Sequence, residues 1–402
     1  MPWRTMSVVE QREEFVRLAS LPGANKSELC RRFGISRDKG YKWLARFAAE
    51  GAQGLADRSR RPKNSPERTP SRTERKILRI RDESNNAWGG RKIARLMQNE
   101  GWTGPIPAAS TITDILRRNG RLEASAPEHP GPWQRFEHAG PNDLWQMDFK
   151  GHFAAGVSRC HPLTVLDDHS RYALALEACA NEQDRTVRTR LTHAFRRYGM
   201  PLRMLMDNGS PWGDDAGNPF TIFSVWLLEL GVRVSHGRPY HPQTQGKDER
   251  FHRTLKAEVL MNRQFGDLSE IQNAFDTWRH KYNHRRPHQA LSMNVPASRY
   301  RVSSRAFPER LPEIVYDESD VVRKVDTDGR IGFKGRIWRI SRAFRGKPVA
   351  LRPAEEDGLM AVFFCTHRIG HIDLRRKETR GFVDLATATP TTPQAQQPQN
   401  SA

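Results

Sequence analysis

The chain has 402 residues, with 66 Lys and Arg against 46 Asp and Glu and a formal net charge of +20. That length suits two to four domains. No run reaches the roughly 18 apolar residues of a membrane span, and no charged-then-apolar leader precedes the first module, so a soluble, cytoplasmic protein without a membrane partner is expected. The positive excess suits a polyanionic partner, because neutralising phosphates releases counterions. Cys30, Cys160, Cys179 and Cys365 are widely scattered, which points away from a disulfide framework or a Cys-x-x-Cys zinc site.

Residues 1–56 read as a helix-turn-helix DNA-binding domain. Phe15, Val16 and Leu18 give its first helix an apolar side. Asn25 with Glu28 forms a capping-box pattern ahead of Leu29, Cys30 and Phe33. Gly34 supplies the tight stop, and Ser36 caps a third helix whose core side is Trp43, Leu44 and Phe47. Arg37, Lys39, Lys42 and Arg46 are left for a DNA groove; the alternative is a small bundle with a solvated basic face. Residues 57–68 form a basic linker whose Arg58, Arg60 and Arg61 could track phosphates or serve as a flexible spacer.

A second helix-turn-helix domain is expected over residues 69–125, with Ile77, Leu78 and Ile80, then Ile93, Leu96 and Met97, then Ile112, Ile115 and Leu116 facing inward and Ser110 capping the third helix. Two such modules in tandem imply a bipartite site on DNA. Beyond a Pro-rich connector, residues 136–302 read as strands near 144–152, 163–166 and 172–178, a helix over 182–198, a strand at 202–206, a helix over 222–230, a short strand at 232–235 and further helices. Residues 318–378 carry short alternating strands broken by Asp328-Gly329, Lys334-Gly335 and Asp357-Gly358; Asp-Gly is a strong hairpin signal. Phe333, Ile337, Trp338, Ile340, Val349 and Leu351 alternate as a core set, with Arg330, Lys334, Arg336 and Arg339 outside. The tail, residues 387–402, is rich in Thr, Pro, Gln and Asn and reads as disordered.

Three carboxylates carry the chemistry. Asp148 lies in Leu-Trp-Gln-Met-Asp-Phe-Lys, Asp207 in Leu-Met-Asp-Asn-Gly-Ser, and Glu249 in His-Pro-Gln-Thr-Gln-Gly-Lys-Asp-Glu-Arg. The first two end apolar strand-like runs, and the third opens an amphipathic helix whose buried stripe, counted from Lys247, is Phe251, Leu255 and Val259. Oxygen donors from strand ends and a helix start suit two hard divalent cations, Mg²⁺ or Mn²⁺, which stabilise the attacking and leaving oxygens of an in-line displacement at phosphorus. The 59 residues between Asp148 and Asp207 accommodate two strands and a helix and predict adjacent central strands. The 42 residues between Asp207 and Glu249 leave an excess in the loop 211–219, where Asp214 and Asp215 read as surface groups. Asp248 faces elsewhere on the helical wheel, and Asp167 and Asp168 read as a turn with an ion pair to Arg171. Lys247, Arg253 and Lys256 surround Glu249 and are read as phosphate holders. His288 is given no catalytic role.

These stretches, with Leu-Thr-Val-Leu-Asp-Asp-His-Ser-Arg ending at Arg171 and Tyr-Asn-His-Arg-Arg-Pro-His-Gln-Ala-Leu ending at Leu291, resemble the catalytic core of insertion-sequence transposases of the D-D-E type, which share the ribonuclease-H-like fold of retroviral integrases. Trp88-Gly-Gly-Arg-Lys-Ile93 resembles a segment found ahead of such cores. The resemblance implies a multidomain α/β protein: all-α helix-turn-helix modules, a ribonuclease-H-like mixed α/β core and a C-terminal small β-barrel. It implies that Asp148, Asp207 and Glu249 are both catalytic residues and ligands of two ions, with strand cleavage by water followed by attack of the freed 3′-hydroxyl on target DNA. The implied partner is double-stranded DNA, both transposon ends and target, held by a homo-oligomer at the bacterial nucleoid. A helix-turn-helix regulator with an inactive core and a ribonuclease-H-type nuclease are the alternatives.

Overall fold

The computed structural model describes residues 6–59, 68–122, 137–207, 209, 212, 220–236, 246–261, 263–376 and 380–385, in two units, Met1–Arg68 and Thr69–Ala402. In the first unit, α1 (Val8–Ala19) starts on a reciprocal capping box between Ser7 and Glu10. Asn25 accepts from the backbone of Ser27 and Glu28 to start α2 (Lys26–Arg32), and Ser36 caps α3 (Arg37–Glu50). Gly34, at φ +63°, makes the turn between them. Phe15, Val16, Cys30, Trp43 and Leu55 form the core. Phe47, expected inside, is 40% exposed: α3 buries only a narrow stripe because a single layer of two short helices faces it. Arg60 and Arg61 lie outside the described residues.

The second unit opens with α4 (Ser71–Glu83), α5 (Gly90–Asn99) and α6 (Ala109–Arg118), whose inward Ile77, Ile80, Trp88, Ile93, Leu96, Met97, Ile112, Ile115 and Leu116 close a small core. Ser110 does not cap α6; the helix begins two residues earlier than such a cap would give, after Ala108, so the serine sits within its first turn.

The central sheet is built from β1 (Leu144–Phe149), β2 (Phe153–Ala155), β3 (Ser158–Asp167), β4 (Ala173–Cys179), β5 (Arg203–Met206) and β6 (Arg233–His236). Its order is β2-β3-β1-β5-β6, with β4 also paired to β3. The first strands pair antiparallel, and β1–β5–β6 pair parallel. The expected long first strand is broken: Gly151 and Gly156, at φ +81° and +58°, turn the chain into the β2–β3 hairpin. One face is covered by α7 (Asp184–Tyr198) and α8 (Ile222–Glu229) through Val187, Leu191, Phe195, Phe223 and Leu227 over Trp145 and Met147. The other is covered by α9 (Gly246–Leu255), its π-helical extension Lys256–Leu260, and α10 (Leu268–His284), through Phe251, Leu255, Ile271, Phe275 and Trp278 over Leu166 and Leu176. Burial on both faces explains why β1 hides Leu144, Trp145, Gln146 and Met147 in succession instead of alternating.

The C-terminal strands form two sheets, β14-β12-β11-β10-β7 and β13-β9-β8, and among the described residues they do not close into the expected small barrel. They comprise β7 (Val321–Lys324), β8 (Arg330–Phe333), β9 (Arg336–Arg339), β10 (Pro348–Pro353), β11 (Leu359–Phe364), β12 (His367–Asp373), β13 (Arg380–Phe382) and β14 (Asp384–Leu385). Lys334 and Gly335, both at positive φ, join β8 and β9 by a two-residue turn. Phe333, Trp338, Ile340, Val349 and Leu351 are buried as expected, but Ile337 is 43% exposed because it sits on the outer face of β9.

One carboxylate fastens the second helical module to the core. Glu258, in the π-helical turn, accepts from the indole of Trp88 at 2.8 Å, the indole of Trp278 at 2.8 Å and the guanidinium of Arg286 at 2.9 Å. The Glu258 and Arg286 side chains are 2% and 9% exposed. Around this buried centre Arg285 bridges Glu83 and Glu100, and Asn85 donates to the Ala257 carbonyl. Removing one member of a buried pair strands the other, at a cost of about 3–5 kcal/mol. Glu258→Ala is therefore expected to lose stability of that order in urea denaturation; a loss below about 1 kcal/mol, the range of an exposed pair, would contradict this role.

Candidate functional site

The parallel ladder of β1 and β5 sets the site. The register that pairs Leu144 with Arg203 and Gln146 with Leu205, extended two residues, carries Asp148 onto Asp207. Neighbouring strands lie about 4.8 Å apart, so the two carboxylates leave the sheet side by side, as their spacing predicted. Asp148 is fixed by the ladder to β3 and by the Thr164 hydroxyl, which donates to its carbonyl at 2.9 Å. Asp207 is followed by a turn in which the Gly209 N–H donates to its carboxylate at 3.1 Å, while the His236 ring bonds its carbonyl at 2.9 Å.

The electrostatics follow from that crowding. Burial first, and then the charge of Asp207, pushes Asp148 up to about 7, with Glu182 and Glu249 adding to the rise. Burial also raises Asp207; Glu182 adds, while the Gly209 N–H, His236 and Trp212 pull the other way. No Lys or Arg is paired with either carboxylate among the described residues; the nearest ionisable partner is His252, whose Nδ1 stands 3.9 Å from Asp148. Burial, with Lys150 nearby, pushes His252 down to about 4, so it is neutral and offers no compensating charge. Its Nε2 instead meets the Thr164 hydroxyl at 2.9 Å.

Glu249 enters from α9, which packs Phe251 and Leu255 into the core and leaves Glu249, Arg253 and Lys256 exposed on one face. Its charge reaches Asp148. An all-oxygen set of acidic donors fits a hard divalent cation, and the repulsion between Asp148 and Asp207 is what such a cation would relieve. Among the described residues no three acidic, His or Cys side chains already enclose a common point. Residues 237–245, immediately before α9, and Asp214 and Asp215 lie outside the described residues.

Two readings of α9 change. Lys247, expected to hold DNA phosphate, is 14% exposed and paired with Asp168, which is 4% exposed. Asp168 also accepts from Gln146 at 2.7 Å and from the His138 N–H at 2.9 Å. Asp168 thus pairs with Lys247, which anchors the start of α9 to the β3–β4 turn. Asp167 is structural as well, accepting from the Ser170 N–H, the Ser170 hydroxyl and the Asn142 N–H. Asp248 does not simply face away: it is 1% exposed, and burial with the charges of Asp148 and Asp168 raises its carboxyl far above the usual range.

In the first unit Arg37, Lys39 and Lys42 are exposed and Arg46 is half-buried. Lys42 and Arg46 lie 4.7 and 5.1 Å from the Trp43 ring. Arg58 pairs with Glu50. His288 is buried beside Tyr282 and Arg286, a packing role. Three neighbours of the site were given no role from the sequence. Glu182 precedes α7, bonds His161 at 2.8 Å and acts on both strand-end aspartates. His252 is one helical turn beyond Glu249. Lys150 follows Asp148 by two residues and lines, with Lys256 and Arg263, a cleft of about 470 Å³.

Comparison with known proteins agrees with this architecture. Integrase core domain models match residues 138–242 and 230–296, and an IS481 family transposase C-terminal domain model matches residues 320–380. A helix-turn-helix domain model matches residues 11–63, and a homeodomain-like model residues 39–116. The chain is 28% identical over 157 residues to an uncharacterized 39.2 kDa protein of insertion element IS476 from Xanthomonas euvesicatoria, covering 39% of this chain and 44% of that protein. It is 25% identical over 215 residues, 52% of each, to a protein of Geobacillus stearothermophilus provisionally named as the transposase of insertion sequence element IS5376. The chain thus spans about half the length of these curated relatives. A chain of the simian T-cell lymphotropic virus intasome aligns at TM-score 0.38 and 15% identity over 71% of this chain and 91% of that one. Taken together, the helix-turn-helix, integrase core and IS481 family C-terminal domain matches make this chain similar to insertion-sequence transposases built on an integrase core.

Proposed function

We propose that the chain is a DNA transposase that binds the terminal inverted repeats of its insertion sequence and catalyses strand cleavage and strand transfer at Asp148, Asp207 and Glu249. The observation that carries this reading is the side-by-side pair Asp148 and Asp207, buried without a cationic side chain and open to Glu249 from α9. Asp148 and Asp207, with Glu249, are the residues that would hold two Mg²⁺ or Mn²⁺ ions. When bound, such ions polarise an attacking water or 3′-hydroxyl and offset charge on the phosphoryl oxygens.

The chain's own residues prepare that chemistry. Thr164 and His252 hold the backbone and flank of Asp148, and the Gly209 N–H holds the Asp207 carboxylate. Lys150, Lys256 and Arg263 line the adjoining cleft and would grip the phosphate backbone beside the scissile bond, with Arg253 on the same helix face as Glu249. Arg37, Lys39, Lys42 and Arg46 would contact the transposon end; Arg58 is engaged with Glu50, and Arg60 and Arg61 remain assigned to phosphate tracking from sequence alone. Cleaving two ends together calls for a homo-oligomer on DNA. No helix among the described residues is long and apolar enough to cross a membrane, and we place the action at the nucleoid.

Asp148→Asn, Asp207→Asn and Glu249→Gln are each expected to abolish Mg²⁺-dependent nicking of duplexes carrying the element's ends while leaving gel-shift binding in place; a Glu249→Gln enzyme that still nicks would refute the assignment. The repulsion also makes a prediction about pH. Asp148 in the folded protein sits near 7 against 3.8 unfolded, so the fold holds more protons between those values and loses stability as pH rises through the window. In chelator, Asp148→Asn should denature at a higher temperature than wild type at pH 8, and the difference should vanish below about pH 4, the unfolded carboxyl range. An equal midpoint at pH 8 would contradict the coupling.

A further inference from the structure

At the opposite end of the sheet from the carboxylates, two arginines stand in register. Arg203 opens β5 and Arg233 opens β6, directly paired across the parallel ladder. Four residues of strand place Arg203 about 13 Å from Asp207. Like charges directly opposite on neighbouring strands are destabilising unless something lies between them. Here no carboxylate does: among the described residues neither guanidinium has an acidic partner, and Arg203 is half-buried with its nearest charged influence being Arg233 itself.

The C-terminal domain closes the other wall. Thr366, His367 and Arg368, at the turn from β11 to β12, face Arg203, Arg233 and Ser235 across a cleft of about 380 Å³. Arg368 is exposed and also lacks an acidic partner among the described residues. His367 bonds the backbone of Leu228, and its buried Nε2 has no hydrogen-bond partner. Burial, with Arg233 and Arg305 nearby, pushes His367 down to about 4, so the ring adds no charge at neutral pH and the guanidiniums set the potential. By contrast, the neighbouring Lys347 at the same domain junction is paired with Glu229. The junction thus neutralises one cation and leaves three in a recess large enough for a ligand group.

We propose that Arg203, Arg233 and Arg368 form a second phosphodiester-backbone site, which holds a stretch of DNA other than the one presented to Asp148 and Asp207. Planar guanidiniums suit phosphate oxygens bidentately, and an inserted phosphate replaces the Arg203–Arg233 repulsion with two attractions. Because the two ends of the sheet face opposite ways, a duplex lying at the carboxylates does not also lie in the cleft. The site therefore takes a flanking segment or a second duplex. The inference rests on the chain acting on DNA, but it does not depend on which carboxylates cut.

The test is the salt dependence of binding by the full-length chain to a duplex of unrelated sequence, measured by anisotropy in chelator so that no cleavage intervenes. Each phosphate contact contributes a slope of about 0.9 in log K against log salt. Arg203→Gln/Arg233→Gln/Arg368→Gln should flatten the slope by about 2 to 3 on that basis, while the triple Lys variant should retain it. Should the triple Gln variant fail to fold, Arg233→Gln and Arg368→Gln, both at exposed positions, should each flatten the slope by about one. Unchanged slopes would overturn the proposal. So would a cleft that takes only a small anion, seen as inorganic phosphate raising the melting temperature of wild type but not of the variants while DNA slopes stay equal. Asp148→Asn separates the two readings: it should lose nicking and keep the wild-type slope.

Discussion

The parallel pairing of β1 with β5 brings two carboxylates out at neighbouring strand ends side by side, and the rest of the molecule can be understood as making that unfavourable arrangement persist. Trp145 and Met147 on β1, with Met204 and Met206 on β5, are all essentially buried and lock the ladder between two helical layers. Full burial of such side chains is worth roughly 1.5–3 kcal/mol each, enough together to outweigh the repulsion that raises Asp148. The strands are short, so the register has little room to slip; a shift by one residue would turn each aspartate to the other face.

The third carboxylate depends on a different device. Glu249 rides on a helix pinned at both ends. At its start Lys247 is buried against Asp168 in the β3–β4 turn; beyond its end Glu258 gathers Trp88, Trp278 and Arg286. The helix carrying the third acid is thereby tied to the same turn that Gln146 of β1 contacts through Asp168, and also to the second helical module. The second helical module and the helix that carries Glu249 share one buried carboxylate, so movement of either is felt at the other. Asp248 is fully buried, and burial, with the charges of Asp148 and Asp168, favours its neutral form, so it adds no charge to compete for a cationic occupant.

Much of this was legible in the sequence where local rules decide. Asn25 and Ser36 announced helix starts because capping is a contact within one turn, and the 59-residue interval pointed to adjacent strands because it leaves room for further strands and a crossover helix. What was missed depended on partners far away in the chain. Lys247 looked like a phosphate ligand on a basic helix face; only the fold brings Asp168 to it. Glu182 stands in no motif and matters only because α7 begins beside β1 and β5. The β2–β3 hairpin was hidden because Gly151 and Gly156 punctuate a run that otherwise reads as one strand. Ile337 was placed inside together with its neighbour Trp338, but successive strand residues face opposite ways, and Trp338 takes the buried face of β9.

The central claim is that Asp148 and Asp207 share a divalent cation with Glu249 in reach. The most direct measurement is anomalous diffraction from crystals of the protein soaked in Mn²⁺. The account predicts anomalous density between the Asp148 and Asp207 carboxylates, abolished by Asp207→Asn. Density confined to Asp168 and Asp248, or none at the β1–β5 edge in well-ordered crystals, would contradict it.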